Sequence, residues 1–477
     1  QEEGTDYYSN SFQYLRNLAY FGMATYSYKG RYTINGTLRY EGSNMLGKSR
    51  QARWLPTWNV SASWNAHEEN WWAPTFGKAW TYASLKGSYS LTADRGPASN
   101  SLAVFTSFTP WRPSTSANES AIILAALENS ELTYEKKHEL NIGVALGFVD
   151  NRINVEFDWY RRNNFDLIGY TQTMGVGGVT TKLANDATME STGCEFTIST
   201  TNIKTKDFKW TTDWIFGWAE NTITKLDSRS QVYSLVNGVG RTEGRPIGAL
   251  YSIPFAGLTE EGLPTFYIDA EHTQVVGPGN YADIYFQEYE NIDYLKYEGT
   301  IDPKITGSFG NTFSWKGLKL NVFFTYSFGN VLRLDNLCPV YSSDYSDLTA
   351  SMKEMKNRWM VPGDENVTTI PSIPTVRQMR EIDALNNAYS AYNYSTERVA
   401  KGDFIRLKEL SLAYDLPKKY FEGQNAVSSF GVKLSATNLW LAYADKKLNG
   451  RDPEYYNTGG VSSPVPRQFT LTVKLGF

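Results

Sequence analysis

The residues of this chain that could do chemistry are few and lie far apart. Its three histidines are His67, His138 and His272. None stands four residues from another, the helical spacing that binds zinc, and none accompanies a Gly-x-Ser-x-Gly nucleophile turn. The sequence therefore predicts neither a catalytic triad nor a metal centre. We expect a chain that is not an enzyme and that carries no cofactor.

Other reactive residue types have simpler interpretations. The segment 175–178 reads Gly-Val-Gly-Gly, but it lacks the Lys-Ser/Thr pair of a phosphate loop, which favours a flexible turn. Glu156 and Asp158 alternate with apolar residues, so both carboxylates should lie on the polar face of one strand and need not form an acid/base pair. Cys194 and Cys338 lack metal spacing, and they either pair in an oxidising compartment or stay free thiols.

Composition limits the class of protein. The chain has 477 residues and a net charge of -4, so we expect no nucleic-acid partner. No apolar run approaches the roughly 20 residues of a membrane-spanning helix. Aromatic residues make up 15% of the chain, which is typical of a β-barrel with aromatic girdles at both membrane interfaces.

The final segment, 467–477, has the pattern of a barrel strand. Phe469, Leu471, Val473, Leu475 and Phe477 alternate with polar residues or glycine, so they share one face of an extended strand. An amphipathic strand with a terminal aromatic resembles the signal that the outer-membrane barrel assembly machinery reads. An ordinary half-buried strand of a soluble domain is the alternative that this strand alone leaves open.

The same alternation recurs along the chain and predicts about thirteen strands, each near the roughly 9–11 residues that cross a bilayer at a tilt. A slip in phase between Leu407 and Leu410 indicates a β-bulge. The predicted strands lie near 20–28, 31–41, 57–65, 83–93, 136–148, 152–162, 193–203, 209–221, 304–315, 319–329, 404–416, 429–444 and 467–477.

The connections alternate between short turns and long polar segments. If the last residue is periplasmic, every long segment falls outside the cell and every short turn inside it, as in barrels assembled from one side of a membrane. Within 222–303, the stretches 250–258 and 264–268 flank Glu260-Glu-Gly262 and predict an extracellular hairpin. The expected extracellular segments are 94–135, 165–192, 222–303, 331–403 and 445–466.

A lipid-facing sheet must close, because each unpaired backbone group costs several kcal/mol in hydrocarbon. The fold class that we predict is therefore all-β, a transmembrane antiparallel β-barrel in contact with outer-membrane lipid.

Short motifs then follow one another in a fixed order, and each is weak alone. They are Tyr32–Ser43, Leu55–Trp64 with Glu68-Glu69, Leu127–Lys136, Asn141–Gly143 with Phe148 and Asn151-Arg152, Tyr160–Arg162 with Asp166-Leu167, Arg245–Gly248, Pro303-Lys304, Phe313–Gly317, Ser327–Asn330, Arg358-Trp359, Phe404–Lys408, Asn438-Leu439 and Asp452–Glu454. Together they resemble the SusC/RagA-type TonB-dependent transporters of the Bacteroidetes outer membrane.

The resemblance implies a barrel of about 22 strands, of which this chain supplies the C-terminal portion. The matching N-terminal half, with its plug domain, TonB-binding segment and first strands, has no counterpart here. The chain opens Gln-Glu-Glu-Gly, and we expect a processed end or a cut within a longer protein. The segment 282–293 lacks the Asp-rich, Gly-containing pattern of the family, so no bound cation is carried over.

The resemblance also implies a function and partners. These are import of a large nutrient, an oligosaccharide or an oligopeptide, with a SusD-like lipoprotein as lid, and energy from TonB-ExbB-ExbD acting through the N-terminal half. Trp54 and Trp111, on the expected outer side, could stack on a ligand or merely pack a loop. Arg358-Trp359 opens the Pro-rich stretch 361–374 and is a candidate lipoprotein contact.

Three other functions remain open at this point. A passive porin would need an even strand number and usually a constricting loop. An outer-membrane phospholipase or protease would need a clustered nucleophile and base. A soluble surface carbohydrate-binding protein would stay in the aqueous phase after detergent partition.

Overall fold

The strands of this protein are long, antiparallel and mostly consecutive in the computed structural model. It describes residues 12, 14–77, 79–96, 101–108, 121–175, 179–337, 353–417, 428–456, 464 and 466–476. The strands are β1 Asn17–Tyr28, β2 Tyr32–Ser43, β3 Trp54–Asn65, β4 Trp80–Asp94, β5 Val104–Phe108, β6 Ala121–Ala126, β7 Glu135–Phe148, β8 Ile153–Gln172, β9 Thr181–Lys204, β10 Phe208–Leu226, β11 Ala249–Ser252, β12 Phe255–Leu258, β13 Pro264–Tyr267, β14 Val275–Val276, β15 Lys296–Thr300, β16 Ile305–Trp315, β17 Leu318–Phe328, β18 Val331–Arg333, β19 Val399–Lys401, β20 Phe404–Asp415, β21 Ser429–Ala444 and β22 Gln468–Gly476.

Helices are short and lie in the connections. The α-helices are α1 Arg50–Arg53, α2 Trp72–Phe76, α3 Val232–Val236, α4 Val376–Glu381 and α5 Leu385–Asn393. Single 3-10 turns occupy Ala66–Glu68, Tyr281–Asp283, Lys353–Asn357, Asp364–Asn366, Thr396–Arg398, Lys446–Leu448 and Pro453–Tyr455. Among the described residues, no helix is both long enough and apolar enough to cross a membrane.

One sheet of thirteen strands dominates the described residues, in the order β1-β2-β3-β4-β7-β8-β9-β10-β16-β17-β20-β21-β22. Each strand pairs antiparallel with its neighbours in this order, so the chain runs up and down without a crossover. Within the described residues, β1 and β22 each pair along one side only. The prediction of an antiparallel ladder of about thirteen strands is confirmed.

One face of the sheet is apolar, and among the described residues most of it has no protein packed on it. In β22, Phe469, Leu471, Val473 and Leu475 are 68%, 67%, 54% and 53% exposed. The register places Leu471 opposite Leu434, and Leu434 opposite Leu412, so the exposed stripes of neighbouring strands join into one surface. An apolar surface of this extent exceeds what soluble proteins leave to water, and it marks the face that lipid covers.

The opposite face is polar and carries charged pairs. Lys433 Nζ lies 3.2 Å from Glu409 Oε1, and Arg162 Nε lies 3.1 Å from Glu139 Oε2. Glu156 and Asp158 lie on this face too, because the residues that alternate with them pair with apolar partners on β7. We call the two sides the apolar face and the polar face.

A bulge interrupts the alternation in β20. Glu409 pairs with Phe323 and Leu407 with Phe324, which leaves Lys408 without a partner in the ladder. The phase slip predicted from the sequence is therefore a β-bulge, which turns the following side chains back to their proper faces.

The two ends of the sheet differ in their connections. One end, the short-connection end, carries turns such as 29–31, 149–152, 205–207 and 316–317. Lys29, Val149, Asp150 and Lys316 adopt the positive φ that such tight turns need. The other end, the long-connection end, carries 44–53, 95–134, 173–180, 227–304, 329–403 and 445–467.

One expected connection differs from the structure. The interval 165–192 was predicted as a loop, but β8 continues to Gln172 and β9 starts at Thr181. The pairing shifts register around Asp166 and then resumes from Ile168 to Gln172. The sequence loses its alternation here because the two strands run on as a hairpin beyond the part of the sheet with an apolar face.

The main hydrophobic core lies outside the large sheet. Twenty buried residues, all from 232–295 and 337–392, form one cluster that includes Phe266, Tyr281 and Tyr392. Within it, β12 and β13 form the hairpin predicted around Glu260-Glu-Gly262. The described residues of 227–304 and 331–403 thus fold together into a globular unit, which we call the loop module.

We expect an added charged side chain to destabilise the barrel when it lies on the apolar face and to be tolerated on the polar face. Leu471→Lys would place an ammonium group in hydrocarbon, at a cost of about 2–4 kcal/mol near the bilayer midplane. Thr472→Lys, one residue along β22, places the same charge on the polar face. The fraction of assembled, heat-modifiable barrel in outer membranes should fall for Leu471→Lys and hold for Thr472→Lys. Equal loss in both variants would contradict the assignment of faces.

Candidate functional site

Arg333 holds three segments of the loop module together. It lies at the end of β18, just beyond the sheet strand β17. Its guanidinium donates hydrogen bonds to the carbonyls of Ser395 (2.9 Å), Val236 (3.1 Å) and Tyr251. The planar guanidinium suits this task because its five N–H donors point in fixed directions.

The surroundings of Arg333 are unusually apolar for a cation. Burial lowers the pKa of Arg333 to about 10, and the nearby Glu298 carboxylate opposes that shift. The ring of Tyr394 lies 5.9 Å from the guanidinium carbon. Arg333 thus remains charged at neutral pH. Its lowered pKa shows that burying this cation costs folding free energy, and the hydrogen bonds to the three carbonyls offset part of that cost.

A second arginine fastens the last long connection to the polar face. Arg406 belongs to β20 and is 5% exposed. It pairs with the carboxylate of Asp452, and its Nε lies 2.9 Å from Glu454 Oε2. The turn at Pro453–Tyr455 presents both carboxylates. Because a buried pair is costly to break on one side, Arg406 fixes this connection against the sheet.

A third arginine joins the loop module to the same connection. Arg398 Nη1 lies 2.6 Å from Glu354 Oε2, and Asn449 Nδ2 donates to the other oxygen of that carboxylate at 2.9 Å. Arg398 also donates to the carbonyl of Asp335, whose side chain pairs with Arg451. The described parts of 329–403 and 445–467 therefore meet at the long-connection end through the Asn449–Glu354 hydrogen bond and the Arg451–Asp335 ion pair.

A cavity of about 410 Å³ lies beside this network, where β20 and β21 reach the long-connection end. Its wall carries charges of both signs together with tyrosine rings, and its lining includes Asp335, Arg406, Arg451, Asp452, Tyr455, Tyr456 and Arg467. Such a lining can donate and accept hydrogen bonds along a polar oligomer. It offers no nucleophile next to a base, so it suits binding rather than chemistry.

The sequence did not single out these arginines. Arg406 lies within the Phe404–Lys408 motif, and only its charge in an otherwise alternating strand hints at a buried pair. Arg333 and Arg398 lie in a long interval without periodicity, and their partners are up to 97 residues away in the chain. Side-chain spacing carries no signal for contacts of that range.

Trp54 lies on the apolar face of the sheet. Its ring stacks on Tyr40 with centroids 5.2 Å apart, and it covers Gly42, where an added Cβ would meet the ring at 2.6 Å. Tyr40 belongs to the exposed stripe of β2 that includes Ile34 and Leu38. This placement favours a packing role at the membrane interface, and ligand contact by Trp54 stays a prediction.

Trp359 packs inside the loop module. Its ring covers Gly262 in the β12–β13 turn, and its Nε1 donates to Glu365 at 2.9 Å. Arg358 donates to the carbonyl of Met355 at 3.1 Å, within its own turn. The fourth candidate, Trp111, lies outside the described residues. Arg358 and Trp359 do not line the cavity beside Arg406. The lipoprotein contact expected from them stays a prediction.

Exposed apolar side chains follow Trp359 in the chain. Met360, Val361, Val367 and Val376 are 60%, 57%, 82% and 58% exposed. The segment 358–372, which carries the first three, is held by backbone hydrogen bonds, since the Trp359 N–H donates to the Ile370 carbonyl and the Ser372 N–H to the Gly262 carbonyl. We call these four residues the contact patch, and most of their apolar surface is uncovered by the described part of the chain.

Each histidine lies against an aromatic ring, on three separate elements. His67 stacks on Tyr82 at 4.3 Å, His138 on Tyr89 at 5.6 Å and His272 on Tyr267 at 4.7 Å. In the described part of the chain, no three His, Cys, Asp or Glu side chains gather as a metal ion requires. The histidines therefore contribute to packing.

Comparison with known proteins identifies the architecture. The chain is 26% identical over 487 residues to TonB-dependent receptor P3 of Formosa agariphila, covering 96% of this chain and 45% of the relative. It is 28% identical over 214 residues to TonB-dependent receptor SusC of Bacteroides thetaiotaomicron, 44% of this chain and 21% of the relative. The chain is similar to TonB-dependent receptors along nearly its whole length. It spans about half the length of the curated relatives that it matches.

Solved structures agree on the fold. The RagAB peptide transporter superposes with a TM-score of 0.74 at 22% identity, over 97% of this chain and 47% of that chain. No family model matches the chain. The predicted resemblance and the outer-membrane β-barrel location are confirmed, with this chain forming part of a barrel. The relatives described here are named as receptors or transporters, in agreement with the expectation that the chain is not an enzyme.

Arg333→Lys should loosen the loop module and leave the sheet intact. Lysine keeps the charge, but it cannot reach three carbonyls with a fixed fork, and each charged hydrogen bond contributes about 1.5–3 kcal/mol. Limited proteolysis of the purified protein should cut the loop module faster, with an unchanged heat-modifiable barrel. Arg377→Lys, at an exposed ion pair with Glu381, is the matched control and should change nothing. Unchanged proteolysis of Arg333→Lys would show that the three carbonyl bonds are dispensable.

Proposed function

We propose that this chain forms the C-terminal part of the barrel wall and the outer loops of a TonB-dependent nutrient importer. In this proposal the long-connection end faces outside the cell and the short-connection end faces the periplasm. The polar face lines the import path, and the apolar face meets lipid. The observation that carries the proposal is the similarity to TonB-dependent receptors over 96% of the chain.

The free sides of β1 and β22 support a parent barrel with more strands. In hydrocarbon, every unpaired backbone N–H or C=O costs several kcal/mol, so two open edges are not stable in a bilayer. We propose that the N-terminal half of the same transporter supplies the pairing strands, the plug and the segment through which TonB-ExbB-ExbD acts. A passive porin formed by this chain alone would have to satisfy both edges without them.

The cavity beside Arg406 supports a charged or zwitterionic cargo. Arg406, Arg451 and Arg467 line it together with Asp335 and Asp452. An oligopeptide offers backbone amides and charges of both signs to such a wall, whereas a neutral oligosaccharide uses only part of it. Between the two cargo classes that the resemblance implies, we therefore favour an oligopeptide. The structural relative described as a peptide transporter agrees with this preference.

Uptake experiments separate an energised importer from a porin. Cells that carry the full transporter should take up a labelled peptide mixture, and a protonophore should abolish that uptake, because the resemblance implies work driven by the proton gradient. Mass spectrometry of the purified complex should also find bound oligopeptide. Uptake that persists with the protonophore, together with passive flux in liposomes, would support the porin instead.

The contact patch supports a SusD-like lipoprotein as the partner that closes over the barrel. Ordered apolar side chains exposed at the outer end are typical of a protein–protein interface. Val367 is the most exposed of the patch and has no structural contact to lose.

Val367→Asp should weaken association with the lipoprotein at least about tenfold, or about 1.4 kcal/mol, because the carboxylate would be desolvated at an apolar interface. Val239→Asp, at an exposed valine in another segment of the loop module, is the control. Co-purification of the lipoprotein from detergent extracts measures the effect. Retention of the lipoprotein by Val367→Asp would move the interface away from the contact patch.

A further inference from the structure

One connection at the short-connection end is built differently from the tight turns beside it. Residues 65–77, which we call the rim segment, contain the 3-10 turn Ala66–Glu68 and the helix α2, Trp72–Phe76. Ala66 and Trp72 are its buried residues, and they cluster with Ala83 of β4. The Trp72 ring also stacks on Trp80 with centroids 5.4 Å apart.

The rim segment lies against the apolar face of the sheet. The residues that pack on the buried cluster are Trp64, Trp80 and Leu146. Trp64 pairs with Tyr32 on one side and with Leu85 on the other, and both of these are exposed on the apolar face. The chain therefore leaves the end of β3, turns back onto the outside of the sheet, and only then enters β4.

Polar atoms mark the level at which the rim segment begins. Glu69 accepts hydrogen bonds from the Tyr32 hydroxyl at 2.5 Å and from Trp64 Nε1 at 3.3 Å. Arg31 Nη1 donates to the same carboxylate at 3.1 Å. Two rings of the apolar face thus turn their polar atoms to one charged group, which belongs in the polar layer of a membrane and not in its hydrocarbon.

On the residues of the rim segment that follow Glu69, two aromatic rings are partly exposed. Trp71 is 47% exposed and Phe76 is 39% exposed. They lie against each other with centroids 6.4 Å apart, next to Trp72. Phe76 also contacts Trp72 and Trp80, and Trp71 contacts Trp72, so the exposed parts of the two rings form the surface of this aromatic cluster. Because the cluster lies on the outside of the sheet, this surface adjoins the apolar face.

We propose that the rim segment is an interfacial membrane anchor that binds phospholipids of the leaflet at the short-connection end. Trp71 and Phe76 would lie at the boundary between headgroups and acyl chains, where aromatic rings are most stable. Trp72 and Trp80 attach this surface to the barrel wall, and Glu69 marks the aqueous side. The anchor fixes the depth of the wall in the bilayer. It depends on the outer-membrane location of the sheet and is independent of the cargo and of the energy source.

Site-specific photo-crosslinking tests this assignment in the full transporter in native outer membranes. The photo-reactive residue p-benzoylphenylalanine replaces Phe76, and in a second variant it replaces Tyr285, an aromatic of the loop module that is more exposed than Phe76. A third variant carries it at Phe469 on the apolar face. Mass spectrometry should find lipid adducts at Phe76 and Phe469, with phospholipid at Phe76, and no lipid adduct at Tyr285.

The outcomes are distinguishable. Heat modifiability confirms that each variant assembles, and all three positions are exposed, so folding should be unaffected. A protein adduct at Phe76, or a lipid yield no higher than at Tyr285, would overturn the anchor while leaving the importer intact. An absence of lipid adducts at Phe469 would overturn the membrane placement of the sheet, and the anchor with it.

Discussion

The structure depends on one constraint, namely that most of the apolar face of the large sheet has no layer of the described chain packed on it. Its apolar side chains point away from the chain, as the exposures along β22 show. In water such a surface would drive aggregation, and in a bilayer it is the stable arrangement, because lipid replaces the missing layer of protein. Backbone pairing then supplies the cohesion of the wall.

The loop module obeys the opposite rule. It lies beyond the end of the sheet's apolar face and buries its apolar residues as a soluble domain does, in the cluster around Phe266, Tyr281 and Tyr392. Burial raises the pKa of Tyr281 and holds its hydroxyl neutral, with the Pro264 carbonyl as acceptor at 2.8 Å. Irregular connections leave many carbonyls to satisfy, and Arg333 satisfies three at once. One chain thus combines two kinds of stability.

Much of the wall could be predicted from the sequence, because a strand with one face in lipid must alternate residue by residue. The same rule exposes the bulge at Lys408, since an extra residue shifts the phase. It fails for the extension of β8 and β9 to Gln172 and Thr181, where both faces meet water or protein and alternation is no longer required. The candidate site was harder to predict from the sequence, because its arginines contact residues that are far away in the chain. Trp359 lies in the region expected for a partner, yet its ring packs on Gly262, and the exposed valines around it are better candidates for contact.

The two ends of the sheet differ in the interactions that their connections make. At the long-connection end, the ion pairs of Arg406 with Asp452 and Glu454 hold the last connection against the polar face. Buried pairs of this kind favour one arrangement because each broken partner leaves an unpaired charge. At the short-connection end, the rim segment instead places its aromatic residues on the outer side of the sheet. The two faces of the same strands therefore carry separate interactions, since the apolar face contacts lipid and the polar face holds ion pairs with the connections.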